Sequence, residues 1–141
     1  MKKAAIVYWS GTGNTEEMAK AVAQGVQEAG AEAALLPCSQ FDLSQAAEYD
    51  AIAFGCAAMG AEELEDSEFE PMFAQCEGSL GGKRVALFGS YGWGDGEWMR
   101  TWEERCRQAG IDLVCDSVIC NYAPDINGED DCRALGRALV G

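Results

Sequence analysis

Apolar runs alternate with helical patterns along the whole chain. Five runs of strand length fall at residues 3–9, 33–36, 51–56, 84–89 and 113–120. Most of them are continuous rather than alternating, which is typical of strands whose two faces are both covered. Because strands that alternate with helices indicate βαβ units, the pattern predicts an α/β fold with a doubly wound, five-stranded parallel sheet between two helical layers.

The segments between these runs predict helices. The first helix is expected to begin near Thr15 and to end at Gly30. Its apolar residues Met18, Val22 and Val26 recur at every fourth position and mark the buried face. The remaining helical segments are residues 68–76, 97–109 and 130–140, and residues 39–48 form a short, turn-rich piece.

Three loops do not fit a core pattern, and each directly follows a predicted strand. They cover residues 10–15, 57–66 and 90–96. In doubly wound sheets, ligands bind beyond the carboxyl ends of the strands, where the strand order reverses. We therefore expect the three loops to meet at one crevice.

The first of these loops is suited to bind a phosphate. It reads Ser10-Gly11-Thr12-Gly13-Asn14-Thr15 and leads into a predicted helix, whose free N–H groups and positive dipole end favour an anion. It lacks the lysine of a nucleoside-triphosphate loop, and Glu16 stands where a dinucleotide loop needs its third glycine. The sequence therefore predicts a site for one terminal phosphate held by neutral donors.

The three loops resemble those of the flavodoxin family. Its FMN phosphate loop resembles Tyr8-Trp9-Ser10-Gly11-Thr12-Gly13-Asn14-Thr15, and its two flavin-ring loops resemble Ala58-Met59-Gly60-Ala61-Glu62 and Ser90-Tyr91-Gly92-Trp93-Gly94-Asp95-Gly96. The resemblance covers essentially the whole chain, and the chain length is similar to that of the short-chain flavodoxins. It implies a single flavodoxin-like domain over residues 1–141, the strand order 2-1-3-4-5 and one non-covalently bound FMN.

The resemblance also implies roles for individual residues. The first loop holds the phosphate, Trp93 and Met59 cover the two faces of the flavin ring, and the Gly92 and Trp93 amides address its pyrimidine edge. Glu62 accepts a hydrogen bond from the imide nitrogen of the ring, and Asn121 contacts the ribityl chain. The predicted cofactor-binding residues are Ser10, Gly11, Thr12, Gly13, Asn14, Thr15, Ala57, Ala58, Met59, Gly60, Ala61, Glu62, Ser90, Tyr91, Gly92, Trp93, Gly94, Asp95 and Asn121.

Two positions depart from the family pattern. Ala57 stands where relatives often have a serine that donates to the phosphate, so one hydrogen bond of about 1 kcal/mol is expected to be missing. Ala61 follows Gly60, where a turn with positive φ resists a β-carbon. In the family the Gly60 peptide turns toward the reduced flavin, so Ala61 bears on the stability of the semiquinone.

The tryptophans fall into two groups. Trp98 and Trp102 are four residues apart on a predicted helix, and we expect both in the core. Trp93 lies between Gly92 and Gly94 in a loop without periodic pattern, where a tryptophan indicates stacking on a ligand.

The charge restricts the class of partner. A formal net charge of −14 disfavours nucleic acid and anionic membranes, and no apolar run is long enough to span a bilayer. Residues 61–70 hold six acids beside the second predicted loop. We expect this cluster to form a docking face for basic patches on redox partners such as reductases and ferredoxin-dependent oxidoreductases.

The cysteines bear on the cellular compartment. There are seven of them, with no CxxC pair and no histidine, which argues against a zinc site or a disulfide scaffold and favours reduced thiols. The apolar stretch near the N-terminus ends at Ser10, before a signal-peptide core forms. We therefore expect a cytoplasmic location, and a carrier of this kind is expected to act as a monomer.

The resemblance implies an electron carrier rather than an enzyme. The expected carrier has a low potential and cycles mainly between the semiquinone and the hydroquinone, because Glu62, Glu63 and Asp95 provide the anionic hydroquinone with no compensating cation. An FMN-dependent NAD(P)H:quinone or nitro reductase on the same fold stays open as the alternative. A receiver domain and a low-molecular-weight phosphatase are excluded because their acidic and Cys-x5-Arg motifs are missing.

Overall fold

The computed structural model of the chain describes residues 3–11, 13–59, 63–92 and 94–141. Within these residues, six strands form one parallel sheet. The strands are β1 (Lys3–Trp9), β2 (Glu32–Pro37), β3 (Ala51–Cys56), β4 (Arg84–Tyr91), β5 (Asp112–Leu113) and β6 (Val118–Asn121). The order β2-β1-β3-β4-β5 is the predicted one, and β6 also pairs with β4.

The last strand differs from the prediction, because it is divided. β5 pairs with the start of β4 and β6 with its end, whereas the sequence pattern predicts one strand over residues 113–120. The interruption contains Asp116 and Ser117, and the Ser117 hydroxyl donates to a carboxylate oxygen of Glu103 at 2.7 Å instead of facing the sheet. Because Ser117 has its hydrogen-bond partner on a helix and not in the sheet, the strand is interrupted at this position.

Helices cover both faces of the sheet. They are α1 (Asn14–Glu28), α2 (Leu43–Ala46), α3 (Phe69–Glu77), α4 (Glu97–Gln108) and α5 (Ile126–Leu139), with a 3-10 turn at Cys38–Gln40. One core cluster joins the sheet to α1 and α5, and a second joins it to α2, α3 and α4. The predicted three-layer α-β-α arrangement is confirmed.

Helix α5 begins earlier than the pattern predicts. Its N-cap is Asp125, whose side chain accepts a hydrogen bond from the backbone N–H of Gly128 at 2.7 Å. An aspartate in this position satisfies a free N–H of the first turn. The apolar periodicity of the helix becomes clear only after residue 130. The N-cap residue Asp125 was therefore the sequence signal that marked the true start of α5.

Helices α1 and α5 pack with their backbones almost in contact. A β-carbon added to Gly25 would lie 2.0 Å from the carbonyl oxygen of Arg133, and one added to Gly136 would lie 2.1 Å from that of Val22. Glycine at both positions therefore fixes the distance between the two helices. Because α1 starts at the first predicted loop, this contact also sets where its N-terminus lies.

The middle of the sheet and the helix α4 tryptophans form the centre of the core. β3 is buried at all six positions. Trp98 and Trp102 are both 1% exposed, as predicted. No helix in the part of the chain that the structure describes is long and apolar enough to cross a membrane.

Candidate functional site

The three predicted loops meet at the carboxyl ends of β1, β3 and β4. Ser90, at the end of β4, links all three. Its hydroxyl shares a hydrogen bond of 2.7 Å with that of Thr15, and its carbonyl oxygen accepts the backbone N–H of Ala58 at 2.9 Å. The expectation that these loops form one crevice is confirmed.

A cavity of about 350 Å³ opens between the loops. Its volume is within the range of small-molecule and cofactor sites. Its wall is mostly apolar, with a few polar groups. The lining residues are Trp9, Gly11, Asn14, Ala57, Ala58, Met59, Ser90, Tyr91, Gly92 and Tyr122.

The first loop presents the N-terminus of α1 to this cavity. Gly13, the N-cap, has φ 97° and no side-chain cap. Its N–H donates to the hydroxyl oxygen of Ser10 at 3.0 Å, and its carbonyl oxygen accepts the N–H of Glu17. The first N–H groups of a helix have no partners within it, and without a side-chain cap they are open to an anion.

Thr15 supports this loop from beneath. It is fully buried, and its hydroxyl is engaged with that of Ser90. The hydroxyl therefore ties α1 to β4, and its predicted contact with a phosphate stays a prediction. Thr12, the other threonine of the loop, lies outside the described residues.

The second loop is closed by one pair of backbone hydrogen bonds. Met59 and Glu63 exchange N–H to carbonyl bonds of 2.8 Å in both directions. Met59 lines the cavity and is 38% exposed, so its side chain is available to cover a ligand there. The predicted site residues Gly60, Ala61 and Glu62 lie between them, outside the described residues.

One acid of the predicted docking cluster is a structural cap instead. The carboxylate of Glu65 is buried and accepts the backbone N–H groups of Ser67, Glu68 and Phe69 at 2.8 to 3.0 Å, together with the Ser67 hydroxyl. Burial alone raises the pKa of Glu65, but these hydrogen bonds outweigh it and lower the pKa to about 2. Glu65 therefore caps the N-terminus of α3, which corrects its assignment to the docking face.

A second acid of the cluster is paired with arginine. Glu70 and Glu77 of α3 bind the guanidinium of Arg105 on α4, with distances of 2.5 and 2.9 Å to Glu70 and 2.8 and 3.1 Å to Glu77. Hydrogen bonds to Glu70, then to Glu77, raise the pKa of Arg105 above its ordinary value. Glu70 thus joins two helices, which leaves Glu63, Asp66 and Glu68 as the exposed acids of the described part of this segment.

The third loop carries an ion pair that the sequence did not indicate. The Asp95 carboxylate lies 3.0 Å from the guanidinium of Arg100, which also donates to the Asp95 carbonyl oxygen at 3.1 Å. Asp95 therefore has a cation beside it, and the expectation that it acts as an uncompensated charge is wrong. Gly94 and Gly96 have φ values of 85° and 92°, as a tight loop requires. Trp93 lies outside the described residues.

The last strand brings one predicted residue and one missed residue to the site. The Asn121 side-chain amide donates to the carbonyl oxygen of Tyr91 at 3.3 Å. Tyr122 follows it, lines the cavity and was not predicted. Trp9 belongs to the motif that resembles the phosphate loop, but it was not predicted as a cofactor-binding residue, and it also lines the cavity. The signal available for both was an aromatic side chain at the carboxyl end of a strand.

The residues at this cavity fit FMN. One end offers neutral donors and an uncapped helix N-terminus, which suit a phosphate. The wall also offers Met59, Trp9 and Tyr122, which suit a flat, apolar ring system. A β-carbon on Gly11 would lie 3.0 Å from the Trp9 ring, so glycine allows the loop to approach this wall.

Comparisons with known proteins agree with this arrangement. The sequence model of the family described as flavodoxin matches residues 6–136. A flavodoxin from Clostridium beijerinckii is 46% identical over 135 residues, which are 96% of this chain and 97% of that protein. One from Megasphaera elsdenii is 45% identical and covers 96% of each chain. The solution structure of two-electron reduced Megasphaera elsdenii flavodoxin superposes with a TM-score of 0.89 at 46% identity, over 96% of this chain and 97% of that one.

Proposed function

The chain belongs to the flavodoxin family of FMN-bound electron carriers, and on that premise we propose that it holds FMN in the 350 Å³ cavity and transfers single electrons there. The observation that carries the proposal is the meeting of three loops, through Ser90, around an uncapped helix N-terminus. FMN supplies the redox chemistry when bound. The protein binds it, orients it and sets its electrostatic surroundings.

The phosphate end of the proposed site is the first loop. We assign the phosphate to the N-terminal N–H groups of α1 and to the side chains of Ser10, Thr12 and Asn14. Gly11 and Gly13 shape the turn, and Thr15 fixes it to β4 through Ser90. Ala57 lines the cavity, and its methyl side chain has no hydrogen-bond donor for the phosphate.

The ring end of the proposed site lies between the second and third loops. We assign Met59 to one face of the ring and Trp93 to the other. The amides of Gly92 and Trp93 are proposed to bind its polar edge, together with Glu62 and the Gly60 to Ala61 peptide. Ala58, Tyr91, Gly94, Asp95 and Asn121 complete the proposed set.

The charge around the ring is mixed rather than uniformly negative. Glu62 and Glu63 stand in the second loop, whereas Asp95 is compensated by Arg100. The net charge of −14 nevertheless disfavours adding a negative charge to the bound cofactor. We therefore expect the second one-electron potential to lie below that of free FMN, and a reductive titration that gave the free-FMN value would contradict this.

A docking face for partners is proposed beside the ring end. The acidic face, defined as Glu63, Asp66 and Glu68, is exposed. A second cavity of about 220 Å³ opens next to it and is lined by Glu63, Leu64, Asp66, Glu70, Trp98, Thr101, Trp102 and Arg105. It combines apolar side chains with the acids Glu63 and Asp66, and the charge of Arg105 is compensated by Glu70 and Glu77. A lysine side chain of a basic redox partner fits this combination, since its stem is apolar and its end is cationic.

The remaining predictions concern the setting of the protein. A cytoplasmic location is supported by the cysteines, because all seven lie in the described part of the chain and are free thiols. A monomer and a single domain over residues 1–141 stay predictions. The reductase alternative has no support in the comparisons, since the relatives that match over nearly their full length carry the name flavodoxin.

The binding site is tested with FMN and riboflavin, which differ by the phosphate alone. Asn14→Asp places a negative charge at the first residue of α1, where aspartate does not destabilise a helix. FMN affinity is expected to fall by at least ~10-fold through charge repulsion, whereas riboflavin affinity changes little. The measurement is quenching of flavin fluorescence on titration of the apoprotein.

Both outcomes are informative for the placement of the phosphate. An equal loss for FMN and riboflavin would mean that the first loop does not face the phosphate. An unmodified chain that bound neither flavin would remove the proposed function itself. Asn14→Gln, which keeps the charge neutral, is the matched control for the change in charge.

A further inference from the structure

Tyr122 has an unusual backbone conformation at the edge of the proposed site. It is the first residue after β6 and has φ 60°, and among the described residues no other non-glycine residue has a positive φ. A bulky side chain rarely adopts this left-handed region, because its β-carbon crowds the backbone. Asparagine and glycine adopt it with less strain.

Hydrogen bonds from Tyr122 and from its neighbour Asn121 attach this segment to the end of β4. The Tyr122 N–H donates to the carbonyl oxygen of Tyr91 at 2.8 Å, and the Asn121 side chain donates to the same oxygen at 3.3 Å. The strained conformation is therefore part of the pairing between the fourth strand and the segment after β6. It directs the tyrosine ring toward the third loop.

The ring lies against the third loop and lines the cavity. A β-carbon on Gly92 would lie 3.3 Å from the Tyr122 ring carbon Cε1. Gly92 directly precedes Trp93 in the sequence. Tyr122 itself is 61% exposed, so the folded chain gains little apolar burial from a tyrosine at this position.

The strained backbone of Tyr122 costs free energy, and its exposed ring recovers little of that through burial in the folded chain. Backbone outliers of this kind concentrate at ligand sites, where the bound state supplies the compensating contact. We propose that Tyr122 is a cofactor-positioning residue, whose ring forms a side wall of the FMN site, supports the Gly92 backbone and slows FMN release. The inference rests on the proposed FMN site and goes beyond the residues that the family resemblance implies.

Three variants separate a role in binding from a role in folding. Tyr122→Asn keeps a residue that tolerates the left-handed backbone but removes the ring, and Tyr122→Phe keeps the ring. Ile126→Asn removes an apolar side chain that is 78% exposed, four residues away and not part of the cavity lining. For each chain, the urea midpoint of the apoprotein, the FMN dissociation constant and the FMN release rate are measured.

The expected results have opposite signs for stability and binding. Tyr122→Asn leaves the apoprotein as stable as the parent or more stable, yet raises the FMN dissociation constant roughly 10-fold, mainly through faster release, since an aromatic contact is lost. Tyr122→Phe restores binding to within about twofold. Ile126→Asn leaves FMN binding unchanged.

Other outcomes overturn the inference. If Tyr122→Asn binds FMN as the parent does, the ring has no role in the site. If stability and affinity fall together, Tyr122 serves the fold alone. If the parent chain does not bind FMN, the proposed function fails first, and that failure is visible before any variant is compared.

Discussion

At the scale of single residues, a few buried polar groups fix the loops and helix ends around the site. Ser90 joins three loops, and Glu65 accepts four hydrogen bonds at the start of α3. Sequence composition placed Glu65 among docking acids because burial cannot be read from a run of like charges. The positive φ of Tyr122 was equally invisible, because nothing in the residue type favours it.

The cap at Glu65 predicts a specific loss of stability. Glu65→Gln replaces a carboxylate that accepts three backbone N–H groups by an amide with one acceptor oxygen. We expect a loss of about 2 kcal/mol in the free energy of unfolding at pH 7. Glu68→Gln changes an exposed acid three residues away and is expected to stay within about 0.5 kcal/mol of the parent. Urea unfolding of both variants measures the difference.

The same carboxylate predicts how that difference changes with pH. The pKa of Glu65 is lowered from 4.5 to about 2 in the folded chain, so the unfolded chain binds more protons between these values. The stability that Glu65 contributes is complete above about pH 5 and is lost as the pH falls toward 2. The gap between the parent and Glu65→Gln should therefore close over this interval. A gap independent of pH would mean that the charge of Glu65 is not what caps α3.

At the scale of elements, most of the fold follows from hydrophobic periodicity. The strands β1 to β4 and the helices α1, α3 and α4 fall within a few residues of the predicted bounds, because the strands are short apolar runs and the helices repeat apolar residues every three to four positions. The division of the last strand and the early start of α5 were missed. Both depend on single polar side chains, Ser117 and Asp125, whose hydrogen bonds to Glu103 and to the Gly128 N–H leave no trace in the spacing of apolar residues.

The close contact between α1 and α5 predicts that adding one methyl group at Gly136 lowers both the stability of the fold and the affinity for FMN. In Gly136→Ala, the new β-carbon would lie 2.1 Å from the Val22 carbonyl oxygen, so the helices must separate. We expect a loss of about 2 kcal/mol or more, although alanine favours a helix over glycine by about 1 kcal/mol. FMN affinity should fall as well, since α1 presents its N-terminus to the site.

Gly78→Ala is the matched control for this change. Gly78 ends α3 with φ −74°, and a β-carbon there meets no atom within 4 Å. Alanine is expected to leave stability unchanged or slightly raised and FMN binding unaffected. Thermal unfolding and FMN titration of the two variants give the comparison. If Gly136→Ala behaved like Gly78→Ala, the close approach of the helices would not be needed.

At the scale of the whole molecule, the acidic residues serve different purposes: some have structural partners, and others are exposed. The net charge of −14 repels anions everywhere, but only part of it is available to a partner near the cavity. Glu65 caps a helix, Glu70 joins α3 to α4, and Asp95 is paired with Arg100. The composition therefore predicts the sign of the partner, whereas the structure is needed to locate the acids that can meet it.

The acidic face predicts a local effect on electron transfer. Neutralising it with Glu63→Gln, Asp66→Asn and Glu68→Gln should slow association with a basic acceptor about 10-fold at low ionic strength and flatten the salt dependence. The probe is cytochrome c, and the measurement is stopped-flow oxidation of the reduced, FMN-loaded chain over a range of salt concentrations. Electrostatic steering by nearby charges is screened within about 10 Å at 0.1 M salt, so the effect should vanish as salt rises.

A control of equal charge decides whether the effect belongs to this face. Glu32→Gln, Glu48→Gln and Asp112→Asn also remove three exposed acids, and Glu32 and Asp112 begin β2 and β5, at the end of the sheet opposite the cavity. This triple variant should change the rate far less than the first. If both variants slowed transfer equally, net charge rather than the acidic face would govern the encounter. If neither did, a partner would dock on other contacts, and the apolar side chains that line the 220 Å³ cavity would be the next to alter.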